Sequence, residues 1–287
     1  MKINKNISRW PVENNEAFND VFFKRFTPKK QPVKLSETVF KLYSFPTFYT
    51  DARFGAIAFF CSYQKALELM PHPKIKPVRL GSGKTLIVFS CYQYQTVKDI
   101  VPYNEVGFLI PVLANCSFRL PVLPLIMGRF IKRFGYHVLC MPVTSLESKI
   151  RGDEIWGLPK QVNEIHFSIK DNHFICRVEE EDGDEIVRVA IPMEGNFVHL
   201  NETVFLFTRK NKEILKSQAW FEGDFAVNIF TGQLFRHTAP ARKYIEIGNS
   251  KTGRLLNALE IEEHPFQTRF SSDLNSAFDL PLDGYRL

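Results

Sequence analysis

The 287-residue chain predicts an α+β fold of mostly antiparallel β structure, a large single-domain barrel or sandwich-like sheet with a few short helices. Three observations point there. Aromatic residues make up 14% of the chain, with 27 Phe, and these side chains suit the broad apolar layers of sheets. Several runs alternate apolar and polar residues with a period of two, separated by turn signals such as Asp171-Asn172 and Asp182-Gly183. Neither an internal repeat nor a break in composition divides the remainder of the chain.

Residues 1–34 carry Lys2, Lys5, Lys24, Arg25, Lys29, Lys30 and Lys34, and read as a basic N-terminal extension that packs loosely or wraps a neighbour; the main domain is expected over 35–287. Strands follow at 38–45 and 54–60, then a short helix at 62–70 ended by Pro71. Gly81-Ser82-Gly83-Lys84-Thr85 has the tail of a phosphate-binding loop, but Val78 stands where the first glycine is required and a strand pattern follows. It therefore reads as a hairpin turn. Strands are expected at 84–94 and 105–114, the second with an apolar run that implies burial on both faces. The apolar stretch 120–131 contains Pro121, Pro124 and Arg129 and is too short to span a bilayer, so it reads as a core helix or a packing surface. A strand at 136–143 precedes a helix at 145–151 capped by Ser145. Residues 162–170, 173–179 and 185–192 form a meander; strands at 204–207, 225–230 and 243–248 and a helical pattern at 255–261 complete the reading.

Composition narrows the function classes. The formal charge of +6 is concentrated in the N-terminal extension and no nucleic-acid-binding module appears, so no nucleic-acid partner is expected. Cys61, Cys91, Cys116, Cys140 and Cys176 are odd in number and widely spaced, as in the reduced core of a cytoplasmic protein. Residues 1–10 lack the apolar core of a signal peptide, and no membrane association is expected. The seven histidines show no zinc-site spacing and there is no Gly-x-Ser-x-Gly elbow, so the reading assigns neither a metal nor an organic cofactor.

Chemistry concentrates at Ile155-Trp156-Gly157-Leu158-Pro159-Lys160, where a lysine follows a string of apolar residues. A free lysine has a pKa of about 10.4, but apolar surroundings disfavour the ammonium and release a nucleophilic amine nearer neutrality. Glu105 heads the apolar run through Val112, and Arg53 heads the run 54–60. Each is a charge at the edge of a greasy strand, and their separation in sequence does not say whether they meet.

The segment Tyr103-Asn104-Glu105 through Ile110-Pro111-Val112, together with Gly152-Asp153-Glu154-Ile155-Trp156-Gly157-Leu158-Pro159-Lys160, resembles the acetoacetate decarboxylase family. The resemblance spans 45–162 and implies a lysine Schiff base: Lys160 capturing a small 3-oxo acid, Glu105 as acid or base, and Arg53 as the neighbouring cation. Phe108, Trp156, Leu158 and Gln161 are the expected pocket residues. The family has a second lysine after the catalytic one, where this chain has Gln161, and a tyrosine where it has Leu158. Burial is therefore expected to replace the adjacent cation in lowering the Lys160 pKa; acetoacetate decarboxylase is itself the known instance of such lysine activation. The resemblance also implies a homo-oligomer. Two other outcomes stay open, a Schiff-base aldolase or dehydratase acting on oxo acids and a non-catalytic module that binds an apolar ligand.

Overall fold

The computed structural model describes residues 2–115, 132–230 and 242–287. Two strands, β1 (Lys29–Lys34) and β2 (Phe40–Phe45), form a hairpin, followed by β3 (Thr47–Ser62), helix α2 (Tyr63–Glu68), β4 (Ile75–Pro77), β5 (Lys84–Val97), β6 (Tyr103–Ala114) and β7 (Phe134–Val143). Helix α1 (Val21–Lys24) precedes them. Helix α3 (Leu146–Trp156) leads into β8 (Lys160–Val162), β9 (Glu164–Lys170), β10 (His173–Glu179), β11 (Glu185–Pro192), β12 (Asn196–Lys210) and β13 (Glu213–Ile229). The chain finishes with β14 (Ile245–Ile247), α4 (Lys251–Asn257) and β15 (Pro265–Phe278).

Seven of these strands run β6-β5-β3-β15-β13-β12-β7, and a pairing of β7 back onto β6 closes the ring into a barrel. All neighbours are antiparallel except β12 and β7. Closure leaves the long strands no open edge and creates an interior bore. A second sheet, ordered β14-β11-β10-β9, packs over the outside of the barrel. Their shared core holds Ile57, Phe59, Phe89, Phe108, Phe174 and Ile191, each fully buried. Gly55 lets the sheets approach, since a β-carbon there would lie 2.7 Å from Ile191 and 2.8 Å from Phe174.

The expected barrel with few helices is what the chain forms. The expected strands at 173–179 and 185–192 match β10 and β11. The segment before Leu35 is not loose. Phe22 and Phe23 are buried against Phe48, and Asn4 is clasped by Thr144 and Leu146 through backbone hydrogen bonds of 2.7 and 2.9 Å. Strand β15 was not expected, because its Ser271-Ser272-Asp273 interruption and register shifts break the alternation that identifies a strand. The apolar stretch 120–131 and Cys116 lie outside the described residues. Cys61, Cys91, Cys140 and Cys176 are buried free thiols. Among the described residues, no helix is long and apolar enough to cross a membrane.

Candidate active site

Side chains alternate along a strand, so Glu105, Gly107, Leu109 and Pro111 of β6 share the face that lines the bore. Val106, Phe108 and Ile110 point the other way, into the outer core. Parallel pairing of β8 with β7 sets Lys160 opposite Met141, beneath helix α3. That helix starts at Ser145, whose hydroxyl accepts from Ser148 N at 3.2 Å, and stops at Gly157 with φ of 59°. Ser148, Arg151 and Gly152 follow at spacings of three and four, so they share the helical face turned to the site.

There the Lys160 Nζ donates to Glu105 Oε2 at 2.5 Å and to Ser148 Oγ at 2.9 Å. The two charged side chains are only 6% and 9% exposed, so water screens them little. Burial is the largest influence on the lysine and pushes its pKa below the usual value. The Glu105 charge and hydrogen bond oppose that fall, and the Arg151 charge assists it. The net shift is downward, which eases release of the proton.

Arg151 is the unexpected member of the site. It is 2% exposed, donates from Nη2 to Thr47 Oγ1 at 2.9 Å, and holds its guanidinium 4.3 Å from the centre of the Tyr43 ring. Its Nε has no hydrogen-bond partner among the described residues. Tyr43 is fixed in turn by Glu147, which accepts from Tyr43 Oη at 2.6 Å and from Lys41 Nζ at 2.7 Å. A wall of tyrosines completes this end. Tyr49 packs on Tyr94, Tyr94 stacks on Tyr92, and the Tyr103 ring centre is 5.6 Å from Lys160 Nζ. Burial raises every one of these phenols, Tyr49 to about 12, so all remain protonated near neutrality.

The other expected site residues divide. Trp156 and Leu158 line the bore, with Trp156 stacked on Phe278 and its Nε1 donating to Asp279 O at 2.7 Å. Phe108 does not; its strand parity sends it to the outer core. Gln161 is exposed, because it follows an inward-facing residue on β8. Arg53 is likewise displaced, since it shares a strand face with Gly55 on the barrel's outside and donates to Gln93 Oε1 at 3.0 Å. The cation beside Lys160 is therefore Arg151 and not Arg53. Helical spacing is the one available signal for Ser148 and Arg151, and for Tyr92, Tyr94 and Tyr103 it is the alternation in Tyr92-x-Tyr94 and Tyr103-x-Glu105.

The bore behind this cluster has a volume of about 910 Å³ and is mostly apolar. On the outer sheet, Glu164 and Glu179 each lie 3.2 Å from His166 Nε2. None of the three lines the bore.

Comparison with known proteins agrees with this architecture. The acetoacetate decarboxylase of Legionella pneumophila is 14% identical, with 84% of this chain and 88% of that one covered at a TM-score of 0.57. The enduracididine biosynthesis enzyme MppR, solved with pyruvate, is 12% identical over 88% of this chain and 96% of its own, at a TM-score of 0.53. Such identities establish a common fold. No curated protein sequence matches the chain. The family model for acetoacetate decarboxylase matches residues 27–207, well over half the sequence. The chain belongs to the acetoacetate decarboxylase family.

Proposed function

We propose that the protein decarboxylates a 3-oxo acid through a Schiff base on Lys160. The observation that carries this reading is the buried amine of Lys160, 2.5 Å from the buried Glu105 carboxylate, in the lining of an apolar bore. Neutral Lys160 adds to the ketone carbon; uptake of one proton and loss of water leave a protonated imine. When the bond to the carboxylate breaks, its electron pair flows into that cation, giving CO₂ and a neutral enamine. Protonation on carbon and hydrolysis then return the ketone product and the free amine.

Glu105 is the group within reach to carry protons in both directions, and Ser148 accepts a hydrogen bond that orients the lysine nitrogen. Arg151 repels the ammonium and so favours the reactive form. Arg151 lines the bore beside Lys160, so its positive charge can draw a substrate carboxylate toward this end. Loose contact suits the reaction better than a clamp, because holding the ground-state carboxylate tightly would slow its departure.

An imine lysine can also support carbon–carbon bond formation. MppR has been solved with the condensation product of pyruvate and imidazole 4-carboxaldehyde, which makes that outcome the second reading here. Borohydride reduction in the presence of 3-oxobutanoate, followed by peptide mass mapping, tests the shared intermediate. A label on Lys160 with CO₂ release supports the decarboxylase; a label with a condensation product from pyruvate and an aldehyde supports the second reading. No label on Lys160 with any oxo acid overturns both.

A further inference from the structure

The bore is far larger than a four-carbon acid requires. At about 910 Å³ it reaches the upper part of the range, roughly 300–1,000 Å³, occupied by sites for much larger ligands. Its length follows from the strands. From Glu105 to Pro111 the inward positions of β6 advance six residues, which at about 3.3 Å each is roughly 20 Å.

Small side chains keep the passage open. Phe54, Tyr92 and Glu105 are in register across β3, β5 and β6 at the lysine end. The next inward layer is Ala56, Ser90 and Gly107, and the one beyond it is Ala58, Val88 and Leu109. A larger residue at 56, 90 or 107 would close the bore directly behind Glu105. The charges farther along are already neutralised: Arg269 donates to Glu202 at 2.8 Å, and Lys84 is paired with Glu262 at the far end. The passage thus offers apolar contact and, outside the cluster of Lys160 and Arg151, no unpaired cation among the described lining residues.

We infer that the substrate is an oxo acid with an extended, uncharged apolar tail, its ketone at Lys160 and its tail lying along the layers of Ala56 and Ala58. The inference rests on Lys160 being the ketone-capturing amine, and it fixes the substrate class of that site. A short acid leaves most of the apolar wall unmatched, and a diacid would bring a second charge where no cation is free to receive it.

Two readouts separate the tail from the imine. Calorimetry with 3-hydroxybutanoate and 3-hydroxydecanoate measures tail binding without imine formation, and borohydride trapping with the matching 3-oxo acids measures capture at Lys160. A buried methylene contributes about 0.8 kcal/mol, about four-fold in affinity, so the longer hydroxy acid is expected to bind at least about a hundred-fold more tightly. Ala58→Phe is expected to weaken the long ligand at least about ten-fold while changing the short one less than about two-fold, because only the long tail reaches that layer. If that variant does not fold, Ala58→Leu makes the same comparison. Equal affinities for the two lengths, or equal weakening of both by the substitution, overturns the inference. Length-dependent binding without trapping at Lys160 leaves the tail site standing and removes the imine reading alone.

Discussion

Gly152 lies so close to Lys160 that a β-carbon on the glycine would stand 2.7 Å from Lys160 Cε. The absence of a side chain on helix α3 is thus what allows the lysine stem to pass beneath the helix and reach Glu105. Gly152→Ala is expected to force that stem aside and lower the rate of borohydride trapping by about a hundred-fold, the scale of a misplacement of roughly 1 Å. Trapping at the wild-type rate in a folded Gly152→Ala protein would show that the contact does not position the amine.

The pH dependence of trapping has a definite sign. Burial lowers the Lys160 pKa, so trapping is expected to rise with pH and level off below the 10.5 of an ordinary lysine. Removing an influence that raises the pKa moves the profile down, and removing one that lowers it moves the profile up. Glu105→Gln is therefore expected to shift the midpoint to lower pH, and Arg151→Gln to shift it to higher pH. Stopped-flow trapping across pH checks both directions.

The same shift affects stability. Because the folded lysine binds its proton more weakly than the unfolded one, the native state gains stability as pH rises from the folded pKa toward 10.5. Lys160→Met is expected to lack that gain, giving a flatter stability profile over the interval. Urea denaturation at several pH values measures it.

Beneath Arg151, Lys41 and Glu147 form a pair with side chains only 1% and 3% exposed. Lys41→Met leaves the Glu147 carboxylate buried with Tyr43 as its remaining hydrogen-bond donor in this cluster, and is expected to cost about 3–5 kcal/mol. Replacing both, Lys41→Met with Glu147→Leu, is expected to cost less than the single change. Equal losses would mean the pair is not what holds this region.

Ser145→Ala removes the acceptor for Ser148 N at the start of α3. A loss of about 1 kcal/mol is expected, measured by chemical denaturation. Because the capped turn carries Ser148, trapping is expected to slow as well.

Lys160 and Glu105 stand out in the sequence as charges bordering apolar runs, but only the resemblance to the acetoacetate decarboxylase family joins them in one site. The meander was legible too, since its turn residues punctuate a regular alternation. Phe108 lies outside the bore for a reason already present in the sequence: three positions from Glu105 is an odd step, which sends it to the opposite face. Arg53 lies outside for the same reason, being one residue before the inward-facing Phe54. Arg151 was hidden because an arginine in a short helix looks like a solvated surface residue until the neighbouring elements bury it. Strand β15 stayed hidden because its polar central residues are accommodated by register shifts that no local pattern signals.

The return of β7 onto β6 has a consequence for how this protein fails. Glu105 and Lys160 are 55 positions apart in the chain and meet only through that seam and the parallel addition of β8. A barrel unzipped at this one junction would retain its other strand pairings yet hold its acid and amine apart. Loss of imine capture is thus expected to precede the far-ultraviolet unfolding signal during gentle denaturation, making borohydride trapping the more sensitive gauge of an intact ring.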